Sequence, residues 1–238
     1  MSGPPATAPP LARVQWPQAF RIIRSRFPPI DLFEDIADPA DWDALARAEM
    51  KTNPRLEQAV GRLDLVAPEH RVGGPGASWV MAPFTHCSTD RPSRFSDGSY
   101  GVYYAANTFE TAIAETIHHH ARFMSATAEP PGWTSEFREL VGAVDADLHD
   151  LRTDPSFFAC LDPDDYAPAQ ALGAQLRAAG SKGAVYPSVR QPGSECIGAF
   201  QPNVVSIPTQ GRHLAYHWDG TRVDQLKDVT SGGVYAII

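Results

Sequence analysis

Cysteine is scarce in this chain, with three among 238 residues: Cys87, Cys160 and Cys196. They are too few for a disulfide framework and too far apart for a zinc knuckle, so they read as buried structural thiols. Long apolar runs are also missing. None reaches the ~18 residues that a spanning helix needs, and the opening MSGPPATAPPLARVQW lacks the basic-then-apolar pattern of a secretory signal. Positive charge is in deficit, with 20 Lys and Arg against 28 Asp and Glu and a formal charge of −8. That balance argues against a dedicated nucleic-acid binder. There is no G-x-S-x-G elbow, no P-loop and no G-x-G-x-x-G, which removes acyl-hydrolase, NTPase and Rossmann readings. The expectation is a cytoplasmic, reduced protein with no membrane and no direct nucleic-acid partner.

Two features are plentiful. Hydrophobic residues make up 43% and charged residues 20% of the chain, enough to expect a packed core rather than disorder. Proline is in excess, at 22 residues or about 9% against a usual ~5%, so helices should be short and irregular connections many.

A Pro/Ala-rich tail is expected over residues 1–17, followed by a single domain over 18–238. AFRIIRS (Ala19 to Ser25) suits a first strand. A helical insert is expected at about 31–71, with start signals at Asp38-Pro39 and Asn53-Pro54. ASWVMAPF (Ala77 to Phe84) reads as a buried strand, SRFSDGSYG (Ser93 to Gly101) as a turn-rich loop and VYYA (Val102 to Ala105) as a short strand. Asn107, with Glu110 three residues on, suggests a capping box for a helix whose apolar stripe is Phe109, Ile113, Ile117, Ala121 and Met124. Further strands are expected at Ser135–Asp145, Gly183–Pro187 and Cys196–Phe200, and a helix at Tyr166–Ala179 closed by Gly180. The C-terminal hairpin, at about 213–226, carries Asp219-Gly220, which suits a type I′ turn. Strands and helices mix without regular βαβ alternation, so the fold class is α+β.

The triple histidine His118-His119-His120 invites a metal reading. Consecutive helical residues point ~100° apart, so the three cannot converge on one ion. H-E-x-x-H is absent, and the Glu115/His118 pair lacks the second pair that a di-metal bundle needs; no metal is expected. Arg94 in the loop, Tyr104 ending the next strand, and Glu115 with His119 one helical turn on remain as polar residues beside strand and helix ends. By themselves Glu115 and His119 also fit a solvated helix face with a weak i,i+4 interaction. Ser188, after a proline at a strand end, is ordinarily a turn former.

Together these residues resemble the RES-domain family, named for an Arg, a Glu and a Ser. Its G-R-W/F loop, tyrosine-ended strand, E-T-A-x-x-E helix start and P-S-x-R turn are matched by Ser93-Arg94-Phe95, Val102-Tyr103-Tyr104, Glu110-Thr111-Ala112-Ile113-Ala114-Glu115 and Pro187-Ser188-Val189-Arg190. Phe20-Arg21 matches the aromatic-Arg pair of the first strand. The likeness runs from about Phe20 to Phe200, with the insert and the hairpin as additions.

The resemblance implies an ADP-ribosyltransferase-like mixed β core with flanking short helices. It implies an NAD-consuming enzyme that cleaves the nicotinamide–ribose bond, as a glycohydrolase or phosphorylase. It further implies a toxin of a toxin–antitoxin pair, with an Xre-type helix-turn-helix antitoxin and homo-oligomers among its partners. Mono-ADP-ribosylation of a protein and a non-catalytic NAD-binding module are the alternatives. In this scheme Glu115, Arg94, Tyr104 and Ser188 are the catalytic set. NAD, the substrate, is held by Arg21, Arg94, Tyr104, His119 and Ser188. The two arginines would grip the diphosphate, Tyr104 would stack on nicotinamide, and Glu115 would stabilise an oxocarbenium-like sugar.

Overall fold

A computed structural model describes residues 8–25, 38, 41–44 and 61–237. Its strands are β1 (Leu11–Arg24), β2 (Tyr103–Ala106), β3 (Trp133–Asp150), β4 (Gly183–Pro187), β5 (Glu195–Ala199), β6 (Thr209–Trp218), β7 (Val223–Asp228) and β8 (Val234–Ala236). The α-helices that lie wholly among the described residues are α1 (Ser78–Thr85), α2 (Phe109–Ser125) and α3 (Ala167–Ala178). The sheet runs β1-β2-β5-β4-β3-β6-β7-β8, and β1 also pairs with β3. That extra pairing closes β1, β2, β5, β4 and β3 into a ring, while β6, β7 and β8 extend from β3 as a wing. Only β3 and β4 run parallel. The class is α+β, as the unalternating pattern of elements implies.

Strand alternation sorts side chains between the two faces of the ring. Each ring strand sends a residue to one buried cluster: Val14, Tyr103, Leu148, Val185 and Ile197, capped by Met81 and Phe84 of α1. This is the inner face. On the outer face Ile22, Phe137, Tyr186 and Cys196 pack with Ala112 and Met124 of α2 and Leu172 and Leu176 of α3. Each fully buried Leu or Phe in such a cluster is worth about 1.5–3 kcal/mol.

The Ala77–Phe84 run forms a helix, not a strand. An unalternating apolar run fits either element when both of its faces are buried, and Pro83 cannot donate to a strand ladder. Helix α2 is capped by Thr108, whose Oγ1 accepts from the Thr111 amide at 3.2 Å. Asn107 is drawn away from that role, because its Oδ1 accepts from the Glu195 amide of β5 at 3.1 Å. The expected apolar stripe does pack on the outer cluster, and Gly180 closes α3 with a φ of 76°.

Strand β1 begins at Leu11, well inside the tail expected as far as residue 17. Leu11 to Trp16 pair with His149 to Val144 of β3, and those non-local bonds outweigh the local Pro/Ala-rich composition. The expected insert helices lie outside the described residues, save for 41–44 and 61 onward. The hairpin is present, but its turn is not type I′. Only Gly220 has a positive φ, of 104°, and Asp219 Oδ1 instead accepts from the Thr221 and Arg222 amides at 2.7 and 2.9 Å. The connection is thus a four-residue loop between Trp218 and Val223, which pair directly.

Candidate active site

Helix α2 lies on the outer face of the ring and carries Glu115 toward the turn after β4. There Ser188, buried in that turn, donates from Oγ to Glu115 Oε1 at 2.7 Å. The same Oγ accepts from the amides of Arg190 and Gln191 at 3.2 and 3.1 Å. The hydroxyl is therefore fixed from both sides, with its proton committed to the carboxylate. Cys196 of β5 adds a long contact to Oε1 at 3.9 Å. Glu115 Oε2 carries no hydrogen bond among the described residues.

Tyr104 and Arg94 come from the loop and strand before α2. The loop is tied down by Tyr100, whose hydroxyl donates to the Phe95 carbonyl at 2.5 Å, and by Ser96, whose Oγ donates to the Tyr100 carbonyl at 2.6 Å. Gln170 of α3 holds the Ser93 carbonyl at 3.0 Å. Gly173 lets the loop backbone approach, since a Cβ there would lie 2.2 Å from the Phe95 carbonyl oxygen. The Tyr104 hydroxyl donates to Ser93 Oγ and accepts from the Phe95 amide, both at 2.9 Å. Burial pushes its pKa up to about 12, so the phenol stays neutral.

Arg94 is buried. Its Nη1 donates to the carbonyls of Cys160 and Asp162 at 2.9 Å each, and its guanidinium lies 4.6 Å from the centre of the Tyr166 ring. Arg190 docks one residue further along the same stretch, with Nη2 on the Pro163 carbonyl at 3.2 Å and on His118 Nε2 at 2.9 Å. A guanidinium can only donate, so His118 accepts as the neutral ring protonated on Nδ1. Burial, then Arg190 and His119, hold the His118 pKa below its ordinary value against the opposing pull of Glu115.

Of the three consecutive histidines, His120 turns to the far side of the helix, while the rings of His118 and His119 meet edge to face with centroids 5.3 Å apart. His118 meets Arg190 and His119 is exposed at the mouth of the site. Its pKa is lowered by desolvation and by Arg190, Arg94 and Arg122. His120 is buried on the other side, edge-on to Phe137 at 5.0 Å. Among the described residues no three His, Cys, Asp or Glu side chains stand together as a metal-binding group.

The site therefore brings together Glu115, Ser188, Arg94 and Tyr104, with His119 at its edge. Arg21 is not among them. It pairs with Leu140 across β1 and β3 and alternates with Phe20 and Ile22, which face outward. Its guanidinium lies inside the ring, 4.6 Å from the centre of the Tyr103 ring, with Nη1 on the Tyr104 carbonyl at 2.9 Å. Burial lowers its pKa. Sequence reasoning misses Arg190, His118 and Tyr186 as site residues, the last lying with its ring centre 5.9 Å from the Arg94 guanidinium. The signal for two of them is present: the P-S-x-R tetrapeptide contains Arg190, and the spacing of Glu115 and His118 puts both on one helix face. Of the cysteines, Cys160 and Cys196 are buried and Cys87 is half-buried. Burial and the Glu115 charge push the Cys196 thiol far up, which leaves it an inert neutral group beside the carboxylate.

The site thus joins a fixed carboxylate with one free oxygen, two arginines docked on one stretch of backbone and a neutral phenol at a strand end. All of these residues fall within the part of the chain that a family model matches. The RES domain model covers residues 68–219, and the chain belongs to the RES-domain family. An uncharacterized protein, y4oC, of Sinorhizobium fredii (strain NBRC 101917 / NGR234) is 31% identical over 212 residues, covering 87% of this chain and 85% of its own. Among solved structures, a chain of the M.tuberculosis MbcT-MbcA toxin-antitoxin complex aligns with a TM-score of 0.44 at 10% identity, over 84% of this chain and 85% of its own. No described helix is long and apolar enough to cross a membrane.

Proposed function

We propose that this protein cleaves the bond between nicotinamide and ribose in NAD, and that it acts as a RES-type toxin held in check by an antitoxin of the Xre helix-turn-helix class. The observation that carries the enzymatic reading is the 2.7 Å bond from Ser188 Oγ to Glu115 Oε1. It locks one carboxylate oxygen and leaves the other without a hydrogen-bond partner among the described residues.

Cleavage of NAD breaks the C1′–N bond, and the electron pair leaves with nicotinamide. The leaving group is cationic while bound, so no general acid is needed. What the reaction needs is negative charge near the developing oxocarbenium and a firm hold on the rest of the molecule. The free Oε2 of Glu115 supplies the first, by holding a ribose hydroxyl and facing the positive sugar carbon. The arginines supply the second. Water or phosphate then adds to C1′; water gives ADP-ribose and a proton, and phosphate gives ADP-ribose phosphorylated at that same carbon.

The test is nicotinamide release by purified protein supplied with NAD, with and without phosphate, beside Glu115→Gln and Glu115→Ala. Release should fall at least about 100-fold in both variants, the range for losing a charge aimed at a transition state. Full release from a folded Glu115→Ala would sink the assignment. A phosphate requirement identifies a phosphorylase, and label from NAD retained on protein identifies a transferase.

A further inference from the structure

Two guanidinium groups of the site make no salt bridge among the described residues. Among the described residues neither Arg94 nor Arg190 belongs to an ion pair, although Arg13, Arg62, Arg71, Arg152, Arg212 and Arg222 all do. Arg91, Arg122, Arg138 and Arg177 likewise make no ion pair among the described residues, so what distinguishes Arg94 and Arg190 is their shared docking point beside the site.

Their placement is shared. Arg94 Nη1 docks on the carbonyls of Cys160 and Asp162, and Arg190 Nη2 docks on that of Pro163. One short stretch of backbone thus holds both heads. Each arginine commits a single terminal nitrogen to this docking. The other terminal nitrogen and Nε of each carry no hydrogen bond among the described residues, so both keep donors to spare. The nearby acid Asp162 forms no ion pair with Arg94: its Oδ1 accepts from the amides of Asp164 and Asp165 at 2.8 and 2.9 Å, and the Arg94 charge acts on it only as a weak contribution to its lowered pKa. Both arginines also lower the pKa of His119, which places each within electrostatic reach of that exposed ring.

We propose that Arg190 is the second arginine of the substrate site and, together with Arg94, holds the diphosphate of the dinucleotide. Resting on the NAD-cleaving reading, this adds Arg190 to the residues that the resemblance assigns to the diphosphate. The geometry also links grip to chemistry. The amide of Arg190 is bound to the Oγ of Ser188, which in turn holds Glu115, so the residue that grips the diphosphate and the one that orients the carboxylate share a single turn.

Binding of ADP-ribose, measured by calorimetry, tests the assignment apart from turnover. The wild type is compared with Arg190→Ala, Arg190→Lys and, as a control for charge alone, Arg122→Ala, an exposed position on α2. Circular dichroism melts verify folding. Removing Arg190 should weaken ADP-ribose about 10- to 100-fold, the range for charge-assisted hydrogen bonds. Lysine should restore part of that loss, and the Arg122 variant should stay within about twofold. If both Arg190 variants bind ADP-ribose as the wild type does, the assignment is overturned while the NAD reading stands. The assignment falls equally if the Arg122 variant loses as much as Arg190→Ala, since charge alone would then explain the effect. If the wild type neither binds ADP-ribose nor releases nicotinamide, the NAD reading falls and takes this inference with it.

Discussion

His120 shows how one helix residue can be structural while its neighbours serve the site. Its ring lies edge-on to Phe137 and 6.1 Å from Tyr216, and its Nε2 is buried without a partner. Burial, then the Arg24 charge, push its pKa down to about 4 from an ordinary 6.5. The native state therefore resists the proton that the unfolded chain accepts. The stability this confers is complete above about pH 6.5 and drains away as pH falls toward 4, by up to about 3 kcal/mol in all. Urea denaturation over that range should show the slope in the wild type and a shallower one in His120→Phe, whose ring suits the same aromatic surroundings. At this scale the sequence is informative where helical geometry alone decides: that His120 points away from His118 follows from a residue spacing. The partners do not follow. The Ser188 and Arg190 contacts of α2 span 73 and 72 residues of chain, and no local pattern encodes which turn a helix face will meet.

At the scale of elements, α3 and the loop before β2 form one unit. Gly173 makes that unit possible, because a Cβ there would sit 2.2 Å from a backbone oxygen that cannot swing aside. Gly173→Ala should cost about 1–3 kcal/mol, as overpacking does, and should weaken nicotinamide release, since the displaced residue is Phe95, next to Arg94. Urea midpoints and release assays on the same preparation test both effects. Undiminished stability would mean that the loop is not clamped by α3. The failures of sequence reading belong to this scale as well. Arg21 has the residue type that suits a diphosphate, yet adjacent strand residues point to opposite faces, and which face holds the site depends on where α2 packs. The Ala77–Phe84 helix reads as a strand because burial on every side erases the period that separates the two elements. The α2 cap moves by one residue because Asn107 is claimed by β5. In each case a tertiary contact decides between local options of similar merit.

For the whole molecule, the ring and the wing carry different loads. The site sits on β2, β4, β5 and α2, while the wing continues from β3 through β6 and β7 to β8. The wing is itself graded. Val223 and Leu226 of β7 are buried and cover Tyr216 and Trp218 of β6. Strand β8 is exposed along its length, and just beyond it Ile237 packs half-buried on the core. Ending the chain at Thr230 removes β8 and that one contact, so about 1–2 kcal/mol should go. For a chain of this size that lowers Tm by roughly 2–8 °C, and nicotinamide release should survive because no site element is touched. Ending it at Asp219 removes β7 as well and bares two large aromatic side chains on a new sheet edge, so the product should aggregate or fail to fold. Melting curves and release assays on the two truncations separate these outcomes. Loss of release from a folded chain ending at Thr230 would show that the wing reaches the site in a way the sheet order does not reveal.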